Sequence, residues 1–423
     1  MKTLWKYMII PVLLAILTGC ARQVEPLDDE QIVVLWHNLV GKEAMALQTL
    51  GDNFNAVNEQ GIVLITEYQD NILLKLQTAS AAHRPDLVII WPEDIDVYRQ
   101  SGLIAGHHVW PMAVRQEAAD MLPMAASLYT VDGDVLALPL GLATYISYYN
   151  LDWVSDLGYD ARTATWEDLR LATCSATDPV RGQVGLGIPA RASALLSMLT
   201  AGGSNITGAE GLYRFDDVAG TRVADVFNHI IGGGCGTVYD TTGEGLAQFS
   251  HSALAMIVES SLRRGKIERA VVEGRNFALR IEALVGPVGP GRTLWYGPGL
   301  TLVAPEGPRL QAAQAVMTWY FTPEAQTTWS ERTEYLPVRR SLIVARADAT
   351  TSPLELRLLE ITLHAAQHDT WVAWPRHTNH VTCRAALLQG LLALDGEASP
   401  AGLVTQMAAA CNQAVLVPVE AQP

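Results

Sequence analysis

The sequence predicts an α/β protein in which parallel strands alternate with crossover helices. Three observations carry that reading. Between Ile32 and Ile90, short continuous apolar runs alternate with segments of helical periodicity. The chain has 423 residues, enough for two or three ordinary domains and a large core. Its 49% hydrophobic against 17% charged residues is a globular balance that excludes a disordered chain.

Each element has its own signal. Ile32-Val33-Val34-Leu35-Trp36 is an uninterrupted apolar run, the pattern of a strand buried on both faces. Ala44, Leu47, Leu50, Phe54 and Val57 then recur at helical spacing, and Gly61 leads into a second strand over residues 63–68. Leu73, Leu76 and Ala79 mark a helix that ends before Arg84-Pro85, because a residue ahead of proline is pushed out of the helical region. Residues 86–90 form the third strand. This β-α-β-α-β order makes a parallel sheet with right-handed crossovers the economical solution. Ligand crevices lie outside the carboxyl ends of such strands. The loops there carry Trp36-His37-Asn38 and Trp91-Pro92-Glu93-Asp94.

Further along, residues 129–139 read as a hairpin turning at Asp132-Gly133-Asp134, with 135–139 as its returning strand. Residues 144–150 read as a strand opening a second lobe. Thr165 caps a helix that begins at Trp166. Gly202-Gly203 and the glycines between 232 and 236 separate further helices, and 284–288 reads as a return crossing. A strand over 300–303 precedes a helix over 310–321 with Ala313, Val316, Met317 and Tyr320 on one face. The terminal third is expected to be helical, over 354–367, 381–394 and 401–415. There is no internal repeat and no low-complexity segment.

Forty-four acids against 29 bases give a net charge of −15, and no basic patch interrupts it, so nucleic acid is not an expected partner. Lys2 and Lys6 precede an apolar run over residues 8–17, too short to span a bilayer as a permanent helix. The run ends in Leu17-Thr18-Gly19-Cys20, which resembles the bacterial lipobox. That resemblance implies cleavage before Cys20, lipidation of its thiol, anchoring outside the cytoplasm and a polar tether over 20–30. An ordinary signal peptide with an accidental cysteine is the plainer alternative. Loss of Lys2 and Lys6 with the leader takes the net charge from −15 to −17.

Four cysteines remain: Cys174, Cys235, Cys383 and Cys411. In an oxidising compartment they allow two disulfides in three connectivities. The expected pairs are Cys174 with Cys235 and Cys383 with Cys411, since the latter two sit on neighbouring apolar-periodic segments. Free buried cysteines are the alternative. No spacing matches a zinc knuckle or a CxxC motif.

Six separated blocks resemble the sugar-type family of extracellular solute-binding proteins of ATP-driven importers, which includes the maltose- and glycerol-3-phosphate-binding proteins. They are the opening strand ending in Trp36-His37; Arg84-Pro85-Asp86-Leu87-Val88 with Ser101-Gly102-Leu103; Leu138-Pro139 leading to Tyr148-Tyr149-Asn150; Thr165-Trp166-Glu167-Asp168-Leu169; a long block over 315–340; and Arg384 ahead of Gly396 and Pro400. The long block contains Thr322-Pro323-Glu324-Ala325-Gln326, Trp329 and Glu334-Tyr335-Leu336-Pro337-Val338-Arg339. The resemblance implies a two-lobed periplasmic-binding-protein-like fold (type II), with mixed sheets flanked by helices and a ligand cleft at the hinge. On that pattern 1–19 is the leader, 31–140 with 290–345 the N-terminal lobe, and 141–289 with 346–423 the C-terminal lobe. It implies a monomeric receptor that hands a small solute to the membrane subunits of an importer.

Sugar recognition needs flat apolar faces and a fence of polar groups. Trp36, Trp91 and Trp295 are the candidate faces; His37, Glu93, Asp94, Thr144, Ser260, Ser261, Tyr335 and Arg384 are the candidate polar groups. Glu93 and Asp94 have a second reading as caps of the helix that begins there. Positions matching the glycerol-phosphate binder's contacts add Gly297 and Gly299 to this set. A phosphate wants a cluster of cations or amides, and Arg384 alone favours a neutral sugar, with glycerol phosphate or another small polar solute as the alternative. A sensor or structural lipoprotein of the same fold is the rival without transport. An enzyme is not expected. His364 and His368 have metal-ligand spacing but no HExxH partner glutamate, no GxSxG elbow accompanies the serines, and there is neither a Walker loop nor a GxGxxG. No cofactor and no metal are implied.

Overall fold

The apolar runs become the buried strands of two sheets. In the computed structural model, residues 31–415 are described apart from 163, 209–210, 304–307 and 377–379; the leader, Cys20 and the tether lie outside the described residues. Leu87–Ile90 has no polar position and all four residues are buried, as a central strand covered on both faces requires. It pairs in parallel with Ile32–His37, which pairs in parallel with Val63–Tyr68. Helix Gly41–Val57 crosses between the first two strands and buries Ala46, Leu47, Leu50 and Phe54 against them. Gly299–Leu302 and Leu138–Pro139 complete this first sheet in antiparallel sense, so it is mixed.

The second sheet is built on Ala143–Asn150, a strand whose eight residues are all buried. One edge pairs antiparallel with Leu254–Ser260, which is followed by Val184–Pro189 and Gly236–Tyr239. The other edge takes Leu279–Ala283 and Thr293–Tyr296 end to end. Trp371–Ala373 closes the order beside Thr293–Tyr296. Helices cover both sheets, and the sheets are the centres of the two α/β lobes.

Several expectations are refined. The hairpin is Thr130–Val131 with Asp134–Val135, turning at Asp132 and Gly133, both with positive φ as a two-residue hairpin turn demands. Leu138–Pro139 leaves it to join the first sheet, so the expected 135–139 strand is two elements. The region between the glycine clusters contains strands as well as helices. Those strands carry glycine and alanine among their apolar residues, which blunts the β signal. The terminal third includes the strand Trp371–Ala373 between its helices. Thr165 caps helix Trp166–Ala176 in a reciprocal box with Asp168. Disulfides join Cys174 to Cys235 and Cys383 to Cys411.

The chain passes between the sheets as an antiparallel ribbon. On one side of the passage Thr144 pairs with Trp295 in the second sheet; on the other Pro139 pairs with Gly299 in the first. Between them, Leu140 N–H donates to Pro298 O at 2.9 Å. The returning strand of this ribbon runs through Gly297 and Pro298. A third segment joins them where Leu142 and Leu336 exchange both backbone hydrogen bonds, at 3.0 and 2.9 Å. Backbones this close leave no room for side chains. A Cβ on Gly297 would lie 1.9 Å from Gly141 O, and one on Gly141 would lie 2.5 Å from Tyr335 Cβ. Tyr129 braces the passage from the first lobe, its hydroxyl shared between Gly297 O at 2.7 Å and Ile90 O at 3.0 Å. Gly297→Ala is expected to lower the unfolding free energy by about 2 kcal/mol or more, the cost of overpacking a filled site. Urea unfolding measures it, and an unchanged midpoint would mean that the passage is looser than described.

Candidate functional site

Between the lobes lies a cavity of about 340 Å³, walled by elements from both sheets. The first lobe contributes the turn after Leu87–Ile90. There Trp91 is fixed by donating from Nε1 to Asn38 Oδ1 at 3.1 Å, and the short 3₁₀ turn Pro92–Asp94 directs Glu93 into the cavity. The second lobe contributes Tyr145 and Tyr296 from adjacent strands, Arg191 and Ser193 after Val184–Pro189, and Tyr213, Trp374 and Arg384 from later segments.

The aromatic rings are ordered by their neighbours. Tyr296 meets Trp374 edge-on with centroids 5.6 Å apart and lies 6.3 Å from the Tyr145 ring. Its hydroxyl is 2.6 Å from Ser260 Oγ, and the Tyr145 hydroxyl is 2.8 Å from Ser193 Oγ. Trp374 is anchored through its backbone N–H to Trp295 O at 2.9 Å. The wall is thus apolar rings with hydroxyls at their margins, a surface suited to C–H faces and hydroxyl groups at once.

Two charged groups face each other across the space. Arg384 Nη2 lies 3.6 Å from Glu93 Oε1, an ion pair between the lobes without hydrogen-bond distance. Burial pushes the Glu93 carboxyl up to about 7; the neighbouring Asp94 charge adds to this, while its own backbone N–H and Arg384 oppose it. Arg191 is partly spent on backbone, with Nη1 donating to Ala190 O at 2.8 Å and to Asp240 O at 3.1 Å.

Of the residues nominated from sequence, Trp91, Glu93 and Arg384 line this cavity. Asp94 stands on the same turn and makes no side-chain cap for helix Ile95–Ser101. The others are placed elsewhere. Trp295 is fully buried in the core with Nε1 donating to Thr293 Oγ1 at 2.7 Å. Thr144, directly opposite it, donates from Oγ1 to Leu294 O at 2.8 Å and from its backbone N–H to Ser261 Oγ at 3.2 Å. Ser260 supports Tyr296 from behind. Trp36 is buried and donates to Glu67 Oε2 at 2.9 Å. His37 is buried edge-on to Tyr68, and burial holds its imidazole below the usual range. Tyr335 is buried and stacked on Trp329, while Gly297 and Gly299 belong to the passage between the sheets.

The sequence reading missed Tyr145, Arg191, Ser193, Tyr213, Tyr296 and Trp374. Two of these misses are one residue wide. Thr144 and Trp295 are partners across the ladder and share one face of the sheet, so Tyr145 and Tyr296 share the other. Strand alternation was the available signal. Among the described residues no group of His, Cys, Asp and Glu is arranged to hold a metal. His364 and His368 are stacked on each other along a helix flank. No described helix is long and apolar enough to cross a membrane.

Comparison with known proteins places this arrangement. The model of the bacterial extracellular solute-binding protein family matches residues 49–353. No curated protein matches the chain. Among solved structures, the cyclic α-maltosyl-1,6-maltose binding protein from Arthrobacter globiformis aligns with a TM-score of 0.73 at 21% identity, over 92% of this chain and 99% of that one. The sugar-binding protein MalE from Xanthomonas citri aligns at 0.74 and 17% identity, over 91% and 97%. A cyclo/maltodextrin-binding protein complexed with maltotetraose aligns at 0.74 and 12% identity, over 93% and 99%. At such identities the likeness is one of fold, two lobes with the chain passing between them. With most of its length matched by the family model and nearly all of it by the fold, the chain belongs to the family of bacterial extracellular solute-binding proteins.

Proposed function

We propose that this protein is a lipid-anchored receptor outside the cytoplasmic membrane, which captures a neutral sugar or short oligosaccharide between its lobes and delivers it to the membrane subunits of an ATP-driven importer. The observation that carries the reading is the composition of the interlobe cavity. Trp91 and Glu93 from one lobe oppose Tyr145, Tyr296, Trp374 and Arg384 from the other, so one solute touches both. A volume of about 340 Å³ lies at the small end of small-molecule sites, roughly 300 to 1,000 Å³. The rings offer stacking faces, and the carboxylate and guanidinium offer an acceptor and donors for hydroxyls. A phosphate ester fits less well, since Glu93 would face it. The mechanism is a population shift: a ligand that contacts both lobes binds the closed state better than the open one, and closure is the signal to the importer.

The direct test is a thermal-shift and calorimetric panel of mono- and oligosaccharides, glycerol phosphates and polyamines. A cognate sugar at a hundredfold excess over its Kd stabilises by about 2.7 kcal/mol. Trp374→Ala is expected to weaken its binding about ten- to hundredfold, through loss of one stacking face. Stabilisation by glycerol phosphates alone, or by no sugar, would overturn the substrate class.

A second expectation concerns pH. Sugar hydroxyls donate to the ionised Glu93 carboxylate, so binding favours the charged form and releases a proton. Because the free carboxyl titrates at about 7, affinity rises as pH goes from 5 towards 7 and levels off above it. Glu93→Gln should flatten the profile. Affinity that falls with rising pH would mean that a protonated Glu93 is the donor instead.

Membrane attachment has its own test. Cys20→Ala is expected to abolish metabolic palmitate labelling and release the protein from the membrane fraction, whereas unchanged fractionation would refute the anchor.

A further inference from the structure

Two consecutive residues of the last described helix, Pro400–Val415, hold two separate parts of the cavity wall. Asn412 Oδ1 accepts from Tyr213 N–H at 2.8 Å, and its Nδ2 donates to Tyr213 O at 3.0 Å. The side-chain amide thus pairs with Tyr213 as a neighbouring strand would, satisfying donor and acceptor of a single residue. Tyr213 lies in the connection between helices Ala192–Ala201 and Val218–Gly232, where it is bridged to Thr207. One position earlier, Cys411 is bonded to Cys383, which itself faces the cavity. Cys383, Arg384 and Leu387 occupy one face of helix His380–Leu392, and all three line the wall.

We propose that Cys411 and Asn412 are positioning residues of the solute site, fixing through one rigid helix the places of Tyr213 and Arg384 relative to each other. This rests on the reading of the cavity as the place where solute binds. The helix is suited to the task. Val404, Met407 and Ala408 are buried, and Met407 lies against Gly390, where a Cβ would stand 1.9 Å from Met407 Sδ. Apolar packing therefore keeps the two helices docked when the covalent tie is absent, so loss of the tie loosens register without detaching the helix. The other disulfide, Cys174 with Cys235, joins helix Trp166–Ala176 to the approach of Gly236–Tyr239 and lines no part of the cavity. It provides an internal control.

The test compares the full-length protein with three variants: Asn412→Leu, the double variant Cys383→Ser with Cys411→Ser, and the control Cys174→Ser with Cys235→Ser. Hydrogen exchange of the ligand-free protein is read at residues 211–217 and 381–388. Asn412→Leu should speed exchange at Tyr213 at least tenfold, and loss of the Cys383 tie should do so at 381–388. The control should leave both segments as they are. Binding is then measured with maltose and maltotetraose as probes, well below each variant's melting temperature. The first two variants should weaken binding about tenfold, and the control less than twofold. Unchanged exchange at both segments overturns the proposal, as does faster exchange with unaltered affinity. An equal loss of affinity in the control reduces the effect to general stability and also overturns it. If neither probe nor any sugar of the panel binds the unaltered protein, the carbohydrate reading fails, and the exchange measurements alone decide whether Asn412 and the disulfide hold these segments.

Discussion

The passage of the chain between the two sheets is a packing constraint before it is a hinge. Three segments meet there, around Gly141, Gly297 and Leu336, so closely that neither glycine has room for a Cβ. The ladder on one side of the passage continues into the first sheet and on the other into the second. The orientation of the lobes is therefore set by the same hydrogen bonds that set strand register. Buried residues on both sides, among them Leu300, Tyr335, Trp295 and Ala143, belong to a single apolar cluster that extends through the passage. An interior of this density transmits a change of angle as a unit and resists local deformation.

From this register follows the identity of the cavity wall. Once Thr144 is opposite Trp295, the pleat assigns Tyr145 and Tyr296 to the cavity side and their neighbours to the core. Shifting the ladder by one residue would exchange an aromatic pair for Thr144 and Trp295. The hydroxyls of the two tyrosines then find Ser193, at the start of the helix after Val184–Pro189, and Ser260, the last residue of Leu254–Ser260. The cavity wall is thus a consequence of the same ladder that joins the lobes.

This explains which parts were legible in the sequence. The first three strands were readable because their apolar runs are continuous and are separated by periodic helices. Trp91 and Glu93 were readable because they end the third of these strands, where crevices form. Arg384 was reached through family resemblance and lies where a residue from the second lobe meets Glu93. Tyr213 and Arg191 were not legible, because nothing local distinguishes them; they arrive through contacts spanning long stretches of chain, such as Asn412 with Tyr213. Trp295 was attractive for its size, yet size without strand phase does not separate a stacking face from a core residue. Gly297 and Gly299, nominated as ligand contacts, stand where a Cβ would meet Gly141 O and the Tyr129 ring, a crowding that in sequence looks the same as close approach to a ligand.

The electrostatics supply the remaining link to function under the proposed mechanism. In the cavity the Glu93 carboxylate is largely removed from water while its partner Arg384 stands 3.6 Å away. A charge removed from water and incompletely hydrogen-bonded is costly, and the upward displacement of its pKa expresses that cost. On the proposed mechanism, a sugar hydroxyl donating to Glu93 offsets that cost. It does so more fully in whichever conformation holds the carboxylate further from water, which is what a ligand needs in order to shift a conformational equilibrium. Replacing Glu93 by an apolar residue would ease closure of the empty receptor and weaken its dependence on solute. On that mechanism the buried acid makes closure conditional on cargo.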